Sequence, residues 1–241
     1  MSETERPFAV FDIDGTLIRW QLYHAIVDAL VKSGHITPDK FAQAREARMA
    51  WKRRMNETSF YDYEHVLISL HDQVIKHITY NDYLAAVQIV FSQYKGQTYT
   101  YTRNLIRRLK KDGYILFAIS GSQMEIIRPL AMYYGFDDFG GTQYEIKNGR
   151  FTGNKHVLKR NLKPKRLREL VEKHHVTFAN SIGVGDSESD IPMLSLVKRP
   201  IVFNPNDLLY KHAQKSGWEI VVERKNMIYK LEPSHGQYIL A

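Results

Sequence analysis

The sequence predicts an α/β protein, a parallel sheet between layers of helices, with a second, all-helical unit inserted behind the first strand. Three observations predict it. Short apolar runs at residues 8–11, 114–119 and 181–184 alternate with segments of helical period across the second half of the chain, the pattern of parallel strands joined by helices. Between about residues 20 and 94 the β signal lapses, and apolar residues recur at three- and four-residue spacing. The apolar runs end in Asp, Ser or Gly, and open α/β sheets carry their chemistry outside the carboxyl ends of their strands.

The elements follow in order. Phe8 to Phe11 reads as a buried strand. In the inserted block, Leu22, Ile26, Ala29 and Leu30 mark one helix. Thr37-Pro38-Asp39 starts another, with Pro in the first turn. Further helices are expected near 61–70 and 80–94, with Lys95-Gly96-Gln97 as the return linker. Then come a helix at 100–111, a strand at 114–119, a helix at 123–134 and a hairpin around Asn148-Gly149. A helix at 164–174 precedes a strand at 181–184, a helix at 190–196, a strand at 200–203, a helix at 207–216 and a last strand at 218–222. These readings place a core at residues 1–17 and 98–230, the helical unit at 18–97 and a loose polar tail at 231–241.

Composition narrows the class. Hydrophobic residues make up 44% and charged residues 25%, ordinary for a globular protein. No apolar run approaches the roughly 18 residues that span a bilayer. The start, Met1-Ser2-Glu3-Thr4-Glu5-Arg6, is polar and acidic, unlike a signal peptide. Cysteine is absent, which excludes disulfides and thiolate chemistry. A cytoplasmic address is the expectation. The formal net charge of +8 gathers at residues 45–54 and 155–168. Such a balance attracts anions, small phosphorylated molecules as much as nucleic acid. No nucleic-acid reader motif is present, so no nucleic-acid partner is expected. Nothing in the chain specifies an oligomeric state.

Asp12 and Asp14 stand two apart, right after the first strand and right before Gly15-Thr16. Side chains at i and i+2 of an extended backbone point the same way, so the two acids converge on one small volume. Burying them together is unfavourable unless a cation sits between them. The stretch resembles motif one, Asp-x-Asp-Gly-Thr, of the haloacid dehalogenase-like (HAD) phosphatases. Three further signals follow in that family's order. Ser120-Gly121-Ser122 closes an apolar strand before a helix, where free backbone N–H groups and a hydroxyl can cradle phosphate. Lysines 155, 159, 163 and 165 compete for the family's next position, ahead of the last strand-end motif. Lys165 fits best and Lys163 second. Gly185-Asp186, with Asp190 four residues on, matches the last motif.

The resemblance implies a Rossmann-like HAD core carrying an inserted all-helical C1 cap, of the phosphoserine phosphatase-like branch of subfamily IB. It implies Asp12 as nucleophile and Asp14 as general acid and base. It implies Ser120, Gly121 and Lys165 on the phosphoryl group, and magnesium held by Asp12, the Asp14 backbone carbonyl and Asp186. Asp190 and Thr16 would support that site from behind, Asp190 by orienting Lys165 or metal-bound water. The expected activity is hydrolysis of a small phosphomonoester through an aspartyl-phosphate. The same phosphoenzyme would serve a phosphotransferase or phosphomutase, and a basic nucleic-acid-binding protein is a more distant alternative. In the cap, phosphoserine phosphatases carry a Glu where this chain offers Gln21, and Arg48 is among several arginines available for a substrate carboxylate.

Overall fold

A computed structural model describes residues 6–234 and 237–240. The acidic start at residues 1–5 lies outside the described residues. The chain runs β1 (Phe8–Phe11), α1 (Leu22–Lys32), α2 (Pro38–Lys52), α3 (Ser59–Val74), α4 (Tyr80–Tyr94), α5 (Thr100–Lys111), β2 (Ile115–Gln123), α6 (Met124–Tyr134), β3 (Asp138–Lys147) and β4 (Arg150–His156). It continues α7 (Lys163–Lys173), β5 (Ile182–Gly185), α8 (Ile191–Leu194), β6 (Arg199–Phe203), α9 (Asp207–Ser216), β7 (Glu219–Arg224), β8 (Met227–Ser234) and β9 (Gln237–Leu240). It divides into two compact units. One comprises Met1–Gln21, Tyr94–Thr142 and Val157–Ala241; the other comprises Leu22–Gln93 and Gln143–His156.

The first unit is built on a sheet with β1 at its centre, paired in parallel with β2 on one side and β5 on the other. β6 and β7 extend it in parallel beyond β5, and β3 lies beyond β2. All four residues of β1 are fully buried, as a strand covered on both faces requires. Phe8, Val10, Phe117 and Ile119 pack with Leu167, Leu170 and Met193 in one cluster. Leu194, Val202, Leu209, Ala213 and Ile220 form another. α5 buries Leu105, Ile106 and Leu109 and turns Arg107, Arg108, Lys110 and Lys111 to solvent. Among the described residues, no helix is long and apolar enough to cross a membrane.

Three expectations need correction. The tail expected at 231–241 is not loose where it is described: β8 and β9 add antiparallel strands beyond β7. Leu231 pairs with Ile220 and Leu240, and with Tyr238 it packs against the Leu194 cluster. Pro233 and the Ser-His-Gly run had hidden that alternation. The helix expected at 190–196 is a short 3₁₀ turn followed by the four-residue α8.

The third concerns the bounds of the inserted unit: the inserted stretch is helical, as expected, but the compact unit it forms also takes in a hairpin from downstream. β3 leaves the first unit at Thr142, and its second half pairs with β4 inside the second unit. There Tyr144 lies beside His71, Phe151 meets Tyr83 edge-on, and Lys155 pairs with Asp72. The unit's helical part spans Leu22–Gln93 rather than 18–97. Helical period marks α1 to α4, but a hairpin 50 residues downstream joins them only through tertiary packing.

One buried group in this unit leads to a prediction. His24 of α1 is buried among Trp51, Phe60 and Tyr63, and neither ring nitrogen has a hydrogen-bond partner among the described residues. Burial, helped by the Arg48 charge, pushes its imidazole down to about 4. The unfolded chain takes up this proton more readily than the folded one. Stability is therefore whole above the ordinary histidine value and is lost as pH falls from there through about 4. His24→Phe is expected to be more stable than the parent by about 1–2 kcal/mol near pH 5, with the gap narrowing towards pH 7.5. Thermal melts across that range check it, and a gap that does not move with pH would contradict it.

Candidate active site

Loops at the carboxyl ends of β1, β2 and β5, with the N-terminus of α7, bring the site together within the first unit. Asp12 follows β1 directly, and its N–H donates to the Val184 carbonyl at 2.9 Å, tying the loop to β5. The chain then turns tightly: the N–H groups of Leu17 and Ile18 both donate to the Ile13 carbonyl. Gly15 sits at φ +75°, and a Cβ there would meet Asp186 Oδ2 at 2.1 Å. Glycine is thus required twice, for the left-handed turn and for the approach of Asp186. Thr16 Oγ1 donates to Asp186 Oδ1 at 3.4 Å.

From β2, Ser120 Oγ donates to Asp14 Oδ2 at 2.7 Å, and the Ser122 N–H donates to Ser120 Oγ at 2.9 Å. Gly121 between them is exposed. From β5, Asp190 is fully buried; its Oδ2 accepts from the N–H groups of Asp186 at 3.2 Å and Ser187 at 3.1 Å. Its Oδ1 accepts from Lys163 Nζ at 2.6 Å, and the same ammonium donates to Asp12 Oδ1 at 2.8 Å.

The lysine expectation is corrected here. Lys163 is buried between the two acids, while Lys165 is exposed. The signal was present in the periodicity of α7. Lys163 lies four and seven residues before Leu167 and Leu170, on the buried stripe, whereas Lys165 is out of phase with it. Asp190 accordingly holds Lys163. Gln21 is half-buried just ahead of α1. Arg48 lies in the second unit, where it pairs with Asp28, donates to the Tyr63 hydroxyl at 2.8 Å and lies over the rings of Phe41 and Tyr63. Its charge is engaged inside that unit.

The electrostatics ask for a further cation. Carboxylate oxygens of Asp12, Asp186 and Asp190 lie within 4.8 Å of one another. Burial pushes the Asp12 carboxyl up; Lys163 draws it back, Asp190 and Asp14 raise it again, and it stands at about 8. Burial, then Asp12 and Asp190, holds Asp186 well above the carboxylate range. Burial alone would discharge Lys163, but the two acids outweigh it and keep the ammonium charged. One cation among four carboxylates leaves excess negative charge in a buried place, which a hard divalent ion would offset. The donor set, all oxygen, fits magnesium.

Residues 9–195 match the family model of the haloacid dehalogenase-like hydrolases. Over 233 residues the chain is 27% identical to a histidinol-phosphatase of Neisseria meningitidis serogroup C, covering 88% of this chain and 97% of that protein. It is 25% identical to a phosphoserine phosphatase of Archaeoglobus fulgidus over 226 residues, 93% of this chain but 58% of that enzyme. Among solved structures, a Bordetella pertussis protein of unknown function superimposes with a TM-score of 0.73 at 21% identity, covering 90% of this chain and 98% of that one. A phospho-aspartyl intermediate analogue of phosphoserine phosphatase gives 0.63 at 18% identity over 92% and 95%. These likenesses establish the shared fold.

Proposed function

The chain belongs to the haloacid dehalogenase-like hydrolases and is a phosphomonoester hydrolase; from that premise we propose that it works through an aspartyl-phosphate on Asp12, with magnesium, on a small phosphorylated amino alcohol. The observation that carries this reading is the bridge of Lys163 Nζ between Asp12 and Asp190, beside Asp186. It gives a carboxylate nucleophile a fixed orientation and a charge to meet the phosphoryl oxygens.

Asp12 Oδ would attack phosphorus as the bond to the substrate oxygen breaks. Asp14 would give its proton to that departing oxygen, then take one from the water that attacks the aspartyl-phosphate, releasing inorganic phosphate and restoring both acids. The Gly121 N–H and Lys163 would bind the phosphoryl oxygens, and Ser120 Oγ, whose single proton goes to Asp14 Oδ2 in the free protein, would turn it to them when substrate enters. Asp12, Asp186 and the Asp14 main-chain carbonyl would hold magnesium, which neutralises the repulsion between anionic nucleophile and anionic phosphate. Asp190 keeps Lys163 aimed.

The substrate class is supported by the printed activities of the relatives, histidinol-phosphatase and phosphoserine phosphatase. Hydrolysis of phosphoserine, histidinol phosphate, phosphoethanolamine, glycerol phosphate and an aryl phosphate, each followed by release of inorganic phosphate, tests it. Activity is expected with an amine-bearing ester, to fall by at least about 100-fold after chelation, and to return with magnesium. Turnover undiminished by chelator contradicts the metal, and transfer to an added alcohol in place of phosphate release would make the protein a phosphotransferase.

A further inference from the structure

The loop that carries Ser120 and Gly121 is held by an unusual route. The parallel ladder between β2 and β3 pairs Ile119 with Gly140, then breaks register, and resumes only at Gln123 with Thr142. Residues 120–122 of β2 therefore form a bulge with no register pair of their own on β3. Gly141 packs against one end of it, where an added Cβ would meet the Ser122 carbonyl at 2.9 Å, but Gly121 itself is not hemmed in. At Gly121 an added Cβ would find only the Leu158 carbonyl, 3.8 Å away, and glycine is the most permissive residue on the chain's main path.

Hydrogen bonds from one buried hydroxyl fill the gap. Thr142 Oγ1 accepts from the Leu158 N–H at 3.2 Å and donates to the Gly121 carbonyl at 2.7 Å. Accepting on one side leaves its single proton for the other, so the hydroxyl is committed. The Gly121 carbonyl belongs to the same planar peptide group as the Ser122 N–H. Fixing the oxygen therefore fixes the N–H, which donates to Ser120 Oγ at 2.9 Å. That bond directs the Ser120 proton onto Asp14 Oδ2 at 2.7 Å. The sequence Leu158, Thr142, Gly121–Ser122, Ser120, Asp14 is an unbroken series of donors and acceptors within the first unit. Each member polarises the next in a place largely shielded from water. Thr142 is itself anchored by the resumed ladder and is buried.

We infer that Thr142 is a positioning residue of the active site: its hydroxyl orients the Gly121–Ser122 peptide, and through it the Ser120 hydroxyl that holds Asp14. The inference rests on the phosphatase reading of Ser120 and Asp14. It assigns Thr142 no contact with substrate. Its effect is on turnover, because the Ser120 hydroxyl must stand ready where charge develops, while the ground-state grip of the phosphate on Lys163 is untouched.

Thr142→Val removes the hydroxyl at nearly constant volume, and Thr142→Ser keeps it. Thr142→Val is expected to lower kcat about 10-fold with KM within about twofold, and Thr142→Ser to stay within about twofold of the parent in both. A readout independent of turnover accompanies these. Native-state hydrogen exchange at the Ser122 amide should quicken at least about 10-fold in Thr142→Val, with Phe117 and Ile119 unchanged and Thr142→Ser like the parent. Parent-like kcat and parent-like exchange in Thr142→Val overturn the inference. So does a joint fall in melting temperature, kcat and exchange protection across the whole strand that Thr142→Ser does not restore, which would mark a general packing role. A parent protein that hydrolyses no phosphomonoester would sink the functional reading instead, and the exchange measurement would still decide whether Thr142 holds the peptide.

Discussion

Asp12→Asn is expected to reduce magnesium-dependent aryl phosphate hydrolysis by at least about 10⁴-fold, because on the proposed mechanism it removes the group that would form the covalent intermediate. The amide has nearly the same size, so packing at the end of β1 is kept, and the main-chain bond from residue 12 to the Val184 carbonyl is unaffected. An amide oxygen is a poor nucleophile, and the neighbouring carboxylates have other roles: on the proposed mechanism Asp186 would hold the metal. Asp14 is bound to Ser120, and Asp190 is committed to Lys163 and two backbone N–H groups. Stability should move the other way. The ionised Asp12 carboxyl is disfavoured by burial and by Asp190 and Asp14. In the presence of chelator the variant should therefore unfold at the same temperature as the parent or higher. Residual hydrolysis within tenfold of the parent would falsify the assignment of the nucleophile.

Lys163→Met and Lys165→Met separate two lysines that lie in the same helix. Lys163→Met should lower turnover by about 10²–10³-fold, the usual scale for losing one preorganised charge partner. It should also lower stability by about 3–5 kcal/mol, because Asp12 and Asp190 would lose their buried counter-ion. Lys165→Met, at an exposed position, should leave both within a factor of two. Steady-state kinetics with thermal or denaturant unfolding read both quantities. The reverse ranking would return the role to Lys165 and leave the buried ammonium as a packing device.

Both variants probe one contrast between chain and fold. Lys163 and Lys165 look equivalent as motif members, and the motif's spacing favoured Lys165. Only the phase of α7 distinguishes them, since Lys163 continues the Leu167–Leu170 stripe inward. The acids needed no such arbitration. Asp12, Asp14, Asp186 and Asp190 sit at strand ends or one turn beyond, where local spacing alone points them. The hairpin around Asn148-Gly149 was legible as such, but its place in the second unit was not, and the strands β8 and β9 were harder still. Their side chains alternate weakly, and their partners are distant in sequence or were obscured by Pro233. Thr142 carries no motif. The role inferred for it arises from a break in a strand ladder, and such a break leaves no mark in composition or period.

The sequence by itself determined the order of strands and helices from β1 to β7 and the acids at their ends, because hydrophobic period and i, i+2 geometry are local properties of the backbone. The tertiary structure alone decided which lysine meets those acids and which hydroxyl reaches the Gly121 carbonyl. Those choices depend on contacts between residues 151 apart, Lys163 with Asp12, and 21 apart, Thr142 with Gly121. Such contacts exist only after the sheet has brought the strand ends together and excluded water from the charges between them.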